Sequence, residues 1–359
     1  MLSAKVEPLN STIIPSKIQS FVDALDNVIV LKDGHIIYES LSEKFNALKI
    51  KPYQSSNQSI IDKHHEYFSS DRDVVNYNYD NLNSSLMIHV PKNTRIKEKL
   101  YVFYVQESVD LVHHTSVILD EGSQLSYFEY LVNVNPGSVN FVSAANVGKH
   151  AKLDYTTLSN FDRQVAVSMN RLARVKENAH AYYTNATFGD ALTDQDTSIY
   201  LDERYAHADA KVIALTNGAQ EAIVKTLVEH NAPDTEGFIE HYGVVADQSF
   251  LVFEGIGKIN KNMKRSIARQ SNKGVVLSKT ARIDANPLLL IDEYDVEASH
   301  GAAIGKIDEE QLYYLMSRGL SRKDAERLII NGFLAPLNAV ISSEILEDHI
   351  RELLANKTL

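Results

Sequence analysis

A loose phrase, apolar-x-x-x-small-x-apolar, returns along this chain at a nearly constant step. It stands at Val90/Thr94/Ile96, Leu119/Ser123/Leu125, Val147/Ala151/Leu153 and Val175/Ala179/Ala181, with starts 29, 28 and 28 residues apart. Turn residues fall inside the copies: Asp120-Glu121-Gly122, Gly148-Lys149 and Glu177-Asn178. Weaker copies follow at Leu201/Ala206/Ala208, with one residue inserted, and at Val245/Ser249/Leu251 and Leu277/Ala281/Ile283 after longer steps. From Leu86 to about Ile307 the text between the copies is made of short alternating runs such as Leu100-Tyr101-Val102-Phe103-Tyr104-Val105, which is the period of strands. A strand repeat of this length cannot bury its apolar face alone; stacking successive turns buries it and pairs each strand with the next. The spacing therefore predicts a solenoid of β-strands, a β-helix, with the small residue where the coil bends. The competing architecture is a β-sandwich, whose strands also recur every 8–12 residues or so.

Both flanks change texture. Near the amino end Pro15 precedes Ile18, Phe21, Val22 and Leu25 at i, i+3, i+4 and i+7, the stripe of one amphipathic helix. The apolar runs from Val28 and from His35 lie on either side of Asp33-Gly34, a dipeptide that tolerates the positive φ of a tight hairpin. The polar stretch to about Asn83, which contains His64-His65, reads as a partly helical connection. At the carboxyl end Asp308-Glu309-Glu310-Gln311 forms a capping box for a helix carrying Leu312, Leu315 and Met316 and ending at Gly319. Ser321 opens a second helix with Ala325, Leu328 and Ile329, expected to stop at Gly332 with Pro336 blocking continuation. A third is expected from about Ser343 to Ala355. These short helices should pack on the solenoid end or on a partner. The expected organisation is mainly β: a mixed amino-terminal region and linker over 1–83, a β-helix core over 84–307, and a helical domain over 308–359.

Composition closes several doors. The chain has no cysteine, which removes disulfides, thiolate metal sites, cysteine-ligated iron–sulfur clusters and cysteine nucleophiles. Any chemistry must rest on His, carboxylates or hydroxyls. With 36 Lys+Arg against 47 Asp+Glu the formal charge is −11, and no basic stripe suited to nucleic acid is present. The run Lys258 to Arg269 is spaced by Asn and Ile and reads as a solvated turn and strand. Met1-Leu2-Ser3-Ala4 leads into Lys5, Glu7 and Pro8 without the apolar stretch of a signal peptide, and no run approaches the roughly 18 residues a membrane helix needs. A cytoplasmic protein without membrane contact is the expectation.

Two glycine-rich strings invite a nucleotide reading and fail on spacing. Gly255-Ile256-Gly257-Lys258 is too short. Gly301-Ala302-Ala303-Ile304-Gly305-Lys306 has three residues between its glycines instead of four and is followed by Ile307 rather than Ser or Thr. Among the 13 histidines, His113 and His114 are strand neighbours that point to opposite faces and so cannot easily share a metal. His300 follows Asp292-Glu293-Tyr294-Asp295-Val296-Glu297 at the end of the β region. An imidazole flanked by carboxylates could bind Fe²⁺ or move protons; the competing reading is a structural or solvent-exposed histidine.

The succession Val228-Glu229-His230-Asn231-Ala232-Pro233, Gly243-Val244-Val245, Phe253-Glu254-Gly255-Ile256-Gly257-Lys258-Ile259, Pro287-Leu288-Leu289-Leu290-Ile291-Asp292-Glu293-Tyr294-Asp295-Val296 and Ser299-His300-Gly301-Ala302 resembles the SufB/SufD family. The tail, from Asp308 through Ser317-Arg318-Gly319 to Phe333, resembles that family's carboxyl-terminal helices. Within the family the chain looks like SufD, because SufB-type proteins carry a sulfur-accepting cysteine and a Glu directly after the histidine matching His300, where Gly301 stands here. The resemblance implies a right-handed parallel β-helix and a non-enzymatic scaffold subunit of iron–sulfur cluster assembly. It also implies a heterodimer with a SufB-like protein through the carboxyl ends of the two β-helices, and docking of a SufC-like ATPase on the tail. Asp308, Leu312, Tyr313, Leu315, Arg318, Leu328 and Phe333 are then the candidate partner-binding residues. His300 is the candidate metal residue, at an interface where iron or a cluster would pass transiently, with no tightly held cofactor in this chain alone. Many relatives have Cys two positions before that histidine; Ala298 stands here, so this chain supplies no thiolate. Two other functions compete: a β-helix enzyme acting on polysaccharides through carboxylates along a groove, and a homodimeric scaffold paired through the same β-edge.

Overall fold

The computed structural model describes residues 9, 11–52, 73–108, 110–338, 341 and 343–358; the His64-His65 pair lies outside them. The Asp-Gly hairpin forms as expected, joining β1 (Val28–Lys32) to β2 (His35–Ser40) with Asp33 and Gly34 at φ +47° and +86°. A single-turn 3₁₀ helix, Glu43–Ala47, precedes the short β3 (Lys49–Lys51).

The chain then winds into a parallel β-helix with two strands per coil. One sheet stacks β4 (Ser84–Val90), β6 (Leu111–Leu119), β8 (Gly137–Val147), β10 (Val165–Val175), β12 (Leu192–Leu201), β14 (Glu221–His230), β16 (Phe250–Ile259) and β18 (Arg282–Ile291). The other stacks β5 (Arg95–Gln106), β7 (Gln124–Asn133), β9 (Lys152–Asn160), β11 (His180–Thr187), β13 (His207–Thr216), β15 (Glu236–Val245), β17 (Ile267–Val276) and β19 (Glu297–Gly305). At the amino end β1 continues the odd-numbered sheet by pairing parallel with β5, and β3 pairs antiparallel with β4.

The sequence step is the register of this stack. Ser84 lies beside His113, Leu111 beside Val139 and Gly137 beside Val165, offsets of 29, 28 and 28 residues. Late rungs lengthen: Ile239 lies beside Gln270 and Phe250 beside Arg282, offsets of 31 and 32. The physical cause of the repeat is one corner. Asn93, Gly122, His150, Asn178, Tyr205, Asp234 and Arg265 all sit in the left-handed region, at φ +52° to +70°. Each is followed by a small residue, and from Ser123 through Ala151, Ala179, Ala206 and Thr235 to Ser266 that residue is buried. The turns stack through the backbone, the amide of Gly122 donating to the Lys149 carbonyl (2.8 Å) and that of His150 to Glu177 (2.9 Å). The first five sequence copies mark this corner. Val245/Ser249/Leu251 and Leu277/Ala281/Ile283 instead span the opposite corner, from the odd-numbered sheet to the even-numbered one. Both bends place a small residue between apolar ones, so the phrase alone does not tell them apart.

Burial falls along the solenoid. Over the first coils both faces of each strand are covered, giving continuous runs such as Leu100 to Gln106, all buried. Helix α1 (Ser16–Ala24) lays Ile18, Phe21 and Val22 on the outer face of the odd-numbered sheet against Phe103 and Tyr130, and α2 (Asp73–Asn81) lays Val75 and Tyr79 on the other face near Ala144 and Leu172. By β14 and β16 the strands alternate, and every residue of β19 is exposed. The solenoid is sheathed at its start and open at its end.

The tail contains α3 (Glu309–Ser317), α4 (Arg322–Phe333), α5 (Ala335–Asn338) and α6 (Glu344–Thr358). The Asp308 side chain accepts from the amides of Glu310 and Gln311, and Ser321 accepts from Asp324, as the capping sequences predict. Pro336 does not simply end α4: it sits in the first turn of α5, where a missing N–H costs nothing. Helix α6 folds back over the outer face of the early coils. There His349 Nε2 meets the Tyr130 hydroxyl at 2.7 Å, and the buried Lys357 ammonium bonds Gln220 (3.2 Å) and Asp190 (2.9 Å).

Candidate functional site

The open end of the solenoid is framed by β18 and β19, the last strands of their sheets. Each pairs on one side only, so an unpaired row of backbone donors and acceptors faces outward on each. His300 lies at the middle of β19, beside Gln270 of β17. Gln270 faces the lumen: its amide nitrogen donates to the Leu288 carbonyl at 2.7 Å, and a Cβ on the lumen-facing Gly255 would stand 2.7 Å from its Oε1. The register therefore gives His300 the inward parity of the coil, and because no further coil covers it, the imidazole is exposed. Around it the last turn exposes apolar side chains: Leu288 and Leu290 are 43 % and 49 % exposed, Ile304 39 %, and Tyr294 fully.

The carboxylates that precede His300 in sequence do not join it. Glu297 takes the opposite parity and pairs with Arg269 at 3.2 Å. Glu293 accepts three backbone amides, from Asn262, Tyr294 and Asp295, which hold its carboxyl below the usual range and commit it to the turn. Among the described residues no group of three or more His, Asp or Glu is placed to hold a metal ion. His300 thus presents an exposed imidazole with no described cluster of carboxylates or histidines assembled around it.

Three further histidines, His113, His230 and His241, are buried in the lumen. His113, His230 and His241 have pKa values pushed down to about 3, 4 and 4 by burial. His113 meets Ser84 and Thr115, and His241 meets Asn272 and Thr226. His114 faces outward under Tyr79, ring centroids 5.0 Å apart. Both glycine strings lie in strands: Gly255 faces the end of the Gln270 side chain, and Gly301 lies on the exposed β19. Lys258, in the basic run, pairs with Glu229 at 2.9 Å.

The tail presents a second surface. Tyr313 is 76 % exposed, and Tyr314, Met316 and Leu328 are also exposed, with the Arg318 guanidinium over the Tyr314 ring at 5.3 Å. Leu315 is half-buried. Leu312 is buried and lines a small cavity of about 140 Å³ with Val276, Leu277 and Ile307; Phe333 stands edge-on to Tyr242. Asp308 is the helix cap. The candidate partner residues therefore divide into an exposed group, Tyr313, Arg318 and Leu328, and a group that holds the helices in place. Sequence reasoning missed Tyr314 and Gln270 behind His300, and it set Met316 on the apolar stripe with Leu312 and Leu315, whereas Met316 is exposed. The alternation of β17 was the available signal for Gln270. No described helix is long and apolar enough to cross a membrane.

The family model of the SUF system FeS cluster assembly, SufBD core domain, matches residues 103–333. The iron-sulfur cluster assembly protein SufD of Bacillus subtilis is 36 % identical over 264 residues, covering 71 % of this chain and 60 % of that protein. Escherichia coli SufD is 28 % identical over 250 residues, covering 68 % and 58 %. An iron-sulfur cluster assembly SufBD family protein of Staphylococcus saprophyticus is 24 % identical over 324 residues, covering 87 % and 70 %. The matched part spans about 60 % of the length of the two SufD relatives. With a matched core running over most of a two-sheet β-solenoid and on into α4, the chain belongs to the SufB/SufD family, as a SufD-like member.

Proposed function

We propose that this protein is a non-enzymatic scaffold subunit of iron–sulfur cluster assembly in the cytoplasm, pairing through the open end of its solenoid with a SufB-like partner. The observation that carries the reading is that end itself: two unpaired strand edges, a flanking set of exposed apolar side chains, and one exposed histidine. Edges of this kind are normally covered. A SufB-like β-helix would extend both sheets, bury Leu288, Leu290 and Ile304, and place its own ligands around His300. Iron or a nascent cluster is then cargo shared between two chains, since this chain offers one imidazole and no thiolate. A SufC-like ATPase would dock on Tyr313, Tyr314, Met316, Arg318 and Leu328, with Asp308, Leu312, Leu315 and Phe333 fixing the helices that present them. On this reading the described parts of the 1–83 region sheath the start of the solenoid, the 84–307 region forms its core and the 308–359 region serves the ATPase.

Coexpression with the SufB and SufC counterparts, followed by size exclusion and anaerobic iron and sulfide analysis, tests the reading. A stable complex is expected, with His300→Ala leaving its composition intact and lowering its iron and sulfide content. A chain that migrates alone, or as a homodimer that excludes the SufB-like protein, refutes the pairing. Full cluster content with His300→Ala refutes the role of that residue alone.

A further inference from the structure

The lumen of the first coils is crossed by one hydrogen-bonded chain of buried side chains. Ser84 Oγ meets His113 Nδ1 (2.6 Å), His113 Nε2 meets Thr115 Oγ1 (2.8 Å), and the Tyr104 hydroxyl meets both Thr115 and the Tyr127 hydroxyl (2.9 Å each). The chain ends on Glu129, whose carboxylate accepts from Tyr127 (3.3 Å), Tyr155 (2.7 Å) and Thr157 (2.7 Å). Opposite stands Arg171, fully buried, with Nη2 3.6 Å from Glu129 Oε1.

The carboxylate is well satisfied and the guanidinium is not. Of its five N–H groups, the one on Nε donates to Thr157 Oγ1 at 3.3 Å, Nη2 reaches the Met169 sulfur at 3.7 Å, and Nη1 has no protein partner. Two more buried atoms without a partner lie close by, the Tyr183 hydroxyl and Asn185 Oδ1. The register brings all three to one part of the lumen. Asn185 is the rung neighbour of Thr157, which Arg171 touches, and its amide nitrogen bonds Thr197 (3.1 Å), the rung neighbour of Arg171. Tyr183 shares the lumen face of Asn185 two residues earlier and stacks at 4.9 Å on Tyr155, whose hydroxyl is on Glu129. Small lumen residues surround it: Ala173 two residues beyond Arg171, Ala181, and Ala210 beside Tyr183.

We propose that the solenoid holds one or two water molecules at a fixed internal site between Arg171 Nη1, the Tyr183 hydroxyl and Asn185 Oδ1. The guest must accept from a guanidinium N–H and donate to an amide oxygen, which water does and a halide or an apolar molecule does not. The Glu129–Arg171 pair is neutral as a whole, so a bound anion would be an uncompensated buried charge. The site completes the donor set of a buried cation in the middle of a continuous hydrophobic stack.

Two measurements test it on the full-length protein. The first is a crystal structure with ordered solvent, from crystals soaked in sodium bromide. It is expected to show density about 2.6–3.2 Å from all three atoms and no bromide anomalous signal there. A bromide peak at Arg171, or Arg171 bonded directly to Asn185 across a closed gap, overturns the proposal. The second is a urea-unfolding cycle of Tyr183→Phe, Asn185→Leu and the double variant. A shared water makes the two changes non-additive by at least threefold in the folding equilibrium constant. Additivity overturns the proposal.

Discussion

Lowering the pH from 7 to 5 should destabilise this protein through its lumen histidines, and His241 is the cleanest case. Its Nδ1–H donates to Asn272 Oδ1 at 2.8 Å and its Nε2 accepts the Thr226 hydroxyl at 2.9 Å, a pairing that suits the neutral ring. Burial depresses its folded pKa to about 4, whereas in the unfolded chain an imidazole titrates near about 6.5. Because the folded pKa is the lower one, the unfolded chain binds more protons between these values, and stability is lost as pH falls through that window. At pH 5 the loss relative to pH 7 is about 2 kcal/mol for one such histidine. His113 and His230, depressed to about 3 and 4, act in the same direction, for a total on the order of 5 kcal/mol. His207, whose pKa is raised by Asp209 and Glu236 against the pull of burial, acts in the opposite direction and is one reason to measure a difference. Urea unfolding of the wild type and His241→Gln, at pH 7 and pH 5, isolates the term. Glutamine keeps hydrogen-bonding capacity towards Thr226 and Asn272 and does not titrate, so the variant should lose about 2 kcal/mol less than the wild type over this interval. Equal losses in the two proteins would refute the assignment of a neutral buried imidazole at this position.

Further outcomes follow from the exposed ends. Leu288→Ala with Leu290→Ala removes side chains that are about half exposed in the free chain; burying the remainder is worth roughly 1 kcal/mol each, so affinity for the SufB-like partner, by titration calorimetry, should fall about 10- to 100-fold while the chain's own melting temperature holds. An equal fall in that melting temperature would show that these side chains serve the fold. Tyr313→Ser with Leu328→Ser should abolish co-elution of the SufC-like ATPase without altering circular dichroism; retained co-elution moves the docking surface elsewhere. Gly189→Ala should destabilise by at least 1–3 kcal/mol or so, because a Cβ there would stand 2.2 Å from the backbone nitrogen of Phe161. Gly301→Ala, with nothing within 4 Å, should leave stability unchanged, and the pair of melting curves checks both.

The solenoid was legible because its information is local. A left-handed residue followed by a small one, such as His150-Ala151 or Asn178-Ala179, must recur wherever the coil turns the same corner, and strand alternation records which side chains face the lumen. The capped helices of the tail were legible for the same reason, through Asp308 and Ser321. The succession of motifs from Val228 to Ala302 likewise pointed to the family, and Gly301 with the absence of cysteine to its SufD-like branch. What they could not carry was register and closure. The inward parity of His300 depends on its pairing with Gln270, and its exposure on the stack ending there. The separation of Glu293 and Glu297 from it depends in part on the Asn262 amide and on Arg269, which are distant in sequence. The polar chain from Ser84 to Arg171 draws its members from six strands, each one an ordinary alternating residue when read alone. Spacing along the chain determined how the coils repeat, because each bend is built by neighbouring residues. Which buried charges meet, and which end stays open, only the stacked structure decided, because those contacts join residues a full coil or more apart.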